Sequence, residues 1–155
     1  MKKVVMVMAA VAVVAMSGVG WAASNTTLTV SANVVGTCKF SGPNPTLAFG
    51  ALDPSQDTEK NATVDVEFWC TKGVPAPTFS AADGIATGTT RYMLHTVDSA
   101  ETIPYTIDSF TPDGNLNLGP GTPRKVTIAG TVPAGSYANK KFGDYSNTVI
   151  LEINP

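Results

Sequence analysis

The chain has 155 residues, two cysteines and a formal net charge of −2, a length that fits one domain. Setting aside the two lysines at the extreme N-terminus turns the balance to −4. That argues against nucleic acid, whose binding needs a concentrated basic face.

Lys2 and Lys3 form a positive n-region, and Val4 through Met16 give an unbroken run of Val, Met and Ala. The run is short of the ~20 apolar residues that cross a bilayer. Small residues follow, with Gly20 and Ala22 at the −3 and −1 positions of a signal-peptidase site. Cleavage is expected after Ala22, with Ala23 as the second choice, so residues 1–22 read as a signal peptide. Nothing later in the chain is apolar for long enough to span a membrane, and no stable insertion of the mature chain is expected.

After that segment the pattern is period two, broken by Gly, Pro, Asn and Asp. The first expected strand is Leu28–Val34, with Leu28, Val30, Ala32 and Val34 on one face. An apolar piece, Leu47-Ala48-Phe49-Gly50, follows a loop of Ser41, Gly42, Pro43, Asn44 and Pro45. The clearest strand runs from Val64 to Cys70, placing Val64, Val66, Phe68 and Cys70 inward and Asp65, Glu67 and Trp69 outward. Weaker strands are expected at Thr78–Ala81, Tyr92–His95, Ile103–Ile107, Val126–Thr131 and Asn147–Ile153. Turns at Asp113-Gly114 and Gly119-Pro120-Gly121 separate some of them. Many short strands without helical periodicity predict an all-β domain, a sandwich of antiparallel sheets. The last strand runs almost to Pro155, leaving no spare strand to cover the final edge. An N-terminal strand with one apolar face can fill such an edge, in its own molecule or in a neighbour's.

Cys38 and Cys70 predict a disulfide, since an even count in an exported chain of this size implies one. Two cysteines and the single histidine, His95, do not make a normal zinc site. No catalytic constellation assembles, so no enzyme is expected. His95 has no cysteine or serine motif beside it, and Ser80, Ser99 and Ser109 lack a Gly-x-Ser-x-Gly elbow. Asp53, Asp57 and Glu59 miss the spacing of a calcium loop and read as a solvated acidic turn. Asn25 and Asn61 open glycosylation sequons that matter only in a host with the machinery. Trp69, beside Cys70, is a packing residue, a subunit contact or a sugar platform. No cofactor or metal is expected.

The order of these pieces resembles the spore coat protein U domain family, which includes subunits of archaic chaperone–usher pili. The resemblance is carried by the alternating segment leading into Gly36-Thr37-Cys38, by Leu47-Ala48-Phe49-Gly50 and by the strand ending at Cys70. Arg91, Ile103-Pro104-Tyr105, Val132-Pro133-Ala134-Gly135 and Gly143-Asp144-Tyr145 continue it. It implies an incomplete immunoglobulin-like β-sandwich lacking its final strand and completed by donor-strand exchange. Residues 23–35 are then the donor segment and 36–155 the pilin-like domain, with Leu28, Val30, Ala32 and Val34 filling a neighbour's groove. The implied partners are identical or related pilus subunits, a periplasmic chaperone and an outer-membrane usher. The implied route is through the periplasm to a fibre at the cell surface, supporting adhesion or biofilm formation. A self-associating spore, cell-coat or matrix protein is the alternative, and a glycan-binding adhesive module is a third. The ending Ile153-Asn154-Pro155 departs from the family pattern, because proline cannot donate to a ladder. The stretch 138–142 reads as an insertion.

Overall fold

The structure, a computed structural model, describes residues 24–155 except 57, 83–85 and 88. The expected signal peptide and Asp57 therefore lie outside the described residues. The residues up to Asn33 and those from Val34 to Pro155 form separate units.

The described residues are all-β, without a helix. The strands are β1 (Cys38–Phe40), β2 (Lys60–Cys70), β3 (Thr78–Ala82), β4 (Ala86–Thr87), β5 (Thr90–His95), β6 (Thr102–Pro112), β7 (Arg124–Val132), β8 (Tyr145–Ser146) and β9 (Ile150–Asn154). Seven of them make one antiparallel sheet in the order β1-β2-β7-β6-β5-β4, with β8 joined to β5. The remaining two, β3 and β9, pair with each other from Thr78↔Asn154 to Ala82↔Ile150.

Alternation decides which faces meet. On β2, Val66, Phe68 and Cys70 are buried, and on β7, Arg124, Val126, Ile128, Gly130 and Val132. The two strands run in register from Lys60↔Val132 to Phe68↔Arg124, so these residues form one continuous apolar face. The β3–β9 pair packs on that face at one end, where Phe79 meets Phe68 edge-on at 5.1 Å and Phe40 and Phe110 at 6.3 Å each. A second cluster, Ile103, Tyr105, Val132 and Tyr137, occupies the other end beneath Phe49, Leu52 and Val149. The Tyr137 hydroxyl donates to the Thr58 carbonyl at 2.6 Å, giving a buried phenol the partner it requires.

Cys38 and Cys70 are bonded, as expected. They face each other across the β1–β2 ladder. Closing a loop of 32 residues stabilises the fold by roughly 3–4 kcal/mol on the chain-entropy account. The bond tethers the three-residue β1, which would otherwise have only three rungs.

Two expected strands are corrected. Residues 28–34 form no strand, and Leu28 and Val30 are 83% and 84% exposed. Their alternation is real, but an extended segment becomes a strand only where a neighbouring edge takes its N–H and C=O groups. The strand expected at Asn147–Ile153 starts later, with 147–149 outside any ladder and β9 covering Ile150–Asn154. Trp69 is half-buried opposite Lys39, a position that fits packing as well as contact.

An ion pair between buried Arg124 and partly exposed Asp113 closes the end of the sheet that carries the disulfide. Arg124, 6% exposed, donates from Nε to Asp113 Oδ1 at 2.7 Å and from Nη1 to Asn117 Oδ1 at 2.7 Å, and from Nη2 to the Asp113 carbonyl. Its guanidinium stacks over Phe68 at 5.1 Å. Asn117 in turn donates to the carbonyls of Val74 and Pro75 at 2.7 and 2.9 Å. Burial pushes the Asp113 carboxyl up. The hydrogen bonds from Arg124, the Lys125 amide and Asn115 outweigh it and hold the group below its ordinary value. A depressed carboxylate contributes stability above its unfolded pKa of about 4. That contribution is lost as pH falls through the lower, folded value. Asp113→Ala is therefore expected to lose about 2 kcal/mol at pH 7, the worth of hydrogen bonds to a charged group. The deficit should shrink in acid. Denaturant melts at pH 7 and pH 3 check this, and an equal deficit at both would refute it.

Candidate functional site: an open apolar groove

Val64 and Ile107 point to the same inner face as buried Val66 and Ile128, yet both are only partly buried. Inward-facing apolar residues in the middle of long strands are normally covered. Here they lie in a groove of about 1230 Å³. Its lining takes Val64 and Val66 from β2, Ile128 from β7 and Tyr105 and Ile107 from β6. One wall is the stretch 40–52 and the other the stretch 140–151.

Each wall follows from local sequence. Leu47 and Phe49 turn inward at period two and come down over Gly130, where an added Cβ would stand 2.9 Å from Leu47 Cδ2 and 2.6 Å from the Thr106 carbonyl. Only a glycine admits that approach. Phe49 meets Tyr105 edge-on at 5.9 Å. The other wall is β9 and the residues before it. Among the described residues β9 pairs only with β3, so its second edge carries main-chain groups outside any ladder. A groove of apolar floor beside an unpaired edge has the geometry that an added extended chain could fill. Main-chain hydrogen bonds would supply attachment, and alternate side chains would enter the floor.

The far end of the groove is fixed by His95, 6% exposed. Its Nδ1 accepts the amides of Val97 and Asp98 at 3.2 and 3.0 Å, and its Nε2 donates to the Phe142 carbonyl at 3.1 Å. Tyr145 stacks edge-on against it at 5.0 Å and donates to the Lys141 carbonyl. Gly143 lies against the ring with φ +136°, and a Cβ there would come within 2.4 Å of Nε2. His95 thus caps a turn and closes the loop containing 138–142. The ammonium of Lys141, 3.2 Å away, holds the Asp98 carboxyl below its usual range.

The other residues considered for chemistry are dispersed. Ser80 donates to Glu152 across the β3–β9 pair at 3.1 Å. Asp53 accepts from the Ser55 amide and hydroxyl in a tight exposed turn. Asn61 accepts from Thr131 across the β2–β7 pair. Among the described residues no group of three His, Cys, Asp or Glu side chains is placed to hold a metal.

Residues 24–152 match the family described as the Spore Coat Protein U domain. The chain belongs to that family. No curated protein matches the chain. The match covers the groove, both walls and the segment with Leu28, Val30, Ala32 and Val34. Spore Coat Protein U domains are structural domains linked to spore-coat and pilus-like surface proteins, and the Cys38–Cys70 bond fits such a place outside the reducing cytoplasm. Sequence reasoning pointed to the donor-like face but not to the receiving one. Val64 read as an ordinary inward position and Ile107 as the end of a weaker strand, and no local signal marks an inward residue as uncovered.

Proposed function

We propose that this Spore Coat Protein U domain is a structural subunit of a surface fibre, assembled by a chaperone–usher route through donor-strand exchange. In this reading the domain is an incomplete immunoglobulin-like sandwich whose missing strand comes from another molecule. The observation that carries it is the partly uncovered floor at Val64 and Ile107 beside the unpaired edge of β9. The segment with Leu28, Val30, Ala32 and Val34 is the matching donor, apolar on one face and outside any ladder. A periplasmic chaperone occupies the groove first, and an outer-membrane usher exchanges its strand for the donor of the next subunit. A coat protein that self-associates by the same exchange would use the same groove and differ in lacking a linear fibre.

Deleting residues 23–34 from the mature chain tests this directly. Co-expressed with its chaperone and usher, the truncated subunit is expected to accumulate in the periplasm in complex with the chaperone. It should give no multi-subunit fibres by electron microscopy. Long fibres built from the truncated subunit would sink the donor assignment.

A further inference from the structure

We infer that the two ends of the 34–155 unit are complementary faces that stack head to tail, so that each subunit of an assembly docks on a second copy of this chain. The inference rests on the donor-strand reading and adds to it a second, globular contact.

Among the described residues of the 34–155 unit, seven large apolar side chains are well exposed: Val34, Val35, Val97, Leu116, Leu118, Phe142 and Ile150. Their distribution is uneven. Val35, Leu116 and Leu118 gather at the disulfide end. There the Thr71 hydroxyl donates to the Val35 carbonyl, the Gly73 amide to the Asn117 carbonyl and the Gly119 amide to the Cys70 carbonyl. Val97 and Phe142 gather at the opposite end, each bonded to His95 through its backbone. They are 86% and 93% exposed. Among the described residues, and apart from Val34 and Ile150, the exposed large apolar side chains of this unit lie at its two ends. Apolar patches confined to opposite ends suit a heterologous contact that propagates.

Strand direction says which ends meet. Tyr145 lies at the His95 end, and Asn154 pairs with Thr78 beside Phe79, which packs on Phe40 and Phe68 near the disulfide. The chain from β8 to β9 thus runs from the His95 end towards the disulfide end. A donor pairing with β9 antiparallel, the slightly stronger arrangement, runs the other way and leaves the groove after Val34 at the His95 end. The donor's own domain begins almost at once, because Thr37 is already fixed by its amide to Thr71 Oγ1 at 3.1 Å. Only Val35 and Gly36 lie between, a reach of at most about 10 Å. The disulfide end of the incoming subunit, with Val35, Leu116 and Leu118, is therefore held against Val97 and Phe142 of the subunit that receives it. The tether supplies a high effective concentration, so the contact need not be strong by itself.

The test uses fibres of the full chain. A Leu116→Cys/Phe142→Cys variant is treated with a short thiol-specific cross-linker and run on a denaturing gel without reduction. A ladder of multimers is expected, and Leu116→Cys or Phe142→Cys alone should give none. In parallel, Val97→Asp, outside the groove lining, should still assemble, with a broader spread of bend angles between subunits by electron microscopy. Fibres without a ladder and with an unchanged spread would overturn the stacked contact and leave strand exchange standing. No fibres from the unaltered chain would overturn both.

Discussion

Val30→Asp is expected to abolish fibres, while Ser31→Asp leaves them largely intact. Adjacent residues of an extended donor point to opposite sides. Val30 would enter the floor near Val64 and Ile107, where an unpaired carboxylate costs several kcal/mol. Ser31 would face solvent. A slip by one residue offers no escape, since it turns Leu28, Ala32 and Val34 outward as well. The measurement is fibre yield at the cell surface for each variant, after confirming equal amounts in the periplasm. Equal loss, or no loss in either, would mean that residues 28–34 are not a one-faced strand in the assembly.

The second large effect concerns the groove itself. Moving the donor from the front of the chain to its end, after Pro155 and a short turn, should give a stable monomer. β9 finishes at Asn154, and a hairpin of two to five residues can return antiparallel along its open edge. Burying Leu28, Val30, Ala32 and Val34 contributes roughly 5–8 kcal/mol. This corresponds to a rise of roughly 15–30 °C in Tm for a domain of this size. The same construction with Val30→Asp in the transplanted strand should lose most of the rise. Thermal melts of the three proteins, with size-exclusion profiles, decide it. No rise with the native donor sequence would mean the groove does not receive this segment.

Much of the sheet was legible because its residues obey one rule at close range. Val64 to Cys70 alternates without exception, and β2 forms there, extended four residues earlier to Lys60. Val126–Thr131, Thr78–Ala81 and Tyr92–His95 likewise sit inside β7, β3 and β5. What failed depended on partners. Leu28–Val34 has the pattern of a strand but no ladder in this structure, because period two does not say which edge, if any, takes its main-chain groups. The openness over Val64 and Ile107 was hidden for the same reason, since alternation reports direction and not cover. Gly130 was unreadable because its reason lies in Leu47 and the Thr106 carbonyl, both far off in sequence. Arg124 was missed because a lone arginine opening a strand looks like any solvated charge until Asp113 and Asn117 fold back to it.

In the proposed fibre, the position of the Cys38–Cys70 bond would bear on how load is carried. When such a fibre is stretched, each subunit is pulled between its groove and residue 34. The pull enters the domain at Val35 and Thr37, whose hydrogen bonds with Thr71 take the first strain. One residue further on, β1 is a three-rung ladder at the margin of the sheet, the kind of element that peels first. The covalent link at its first rung passes the force past β1 to the end of β2, whose eleven residues are paired along nine rungs with β7. Tension is thereby spread as shear over a long interior ladder, and the margin is spared from unzipping.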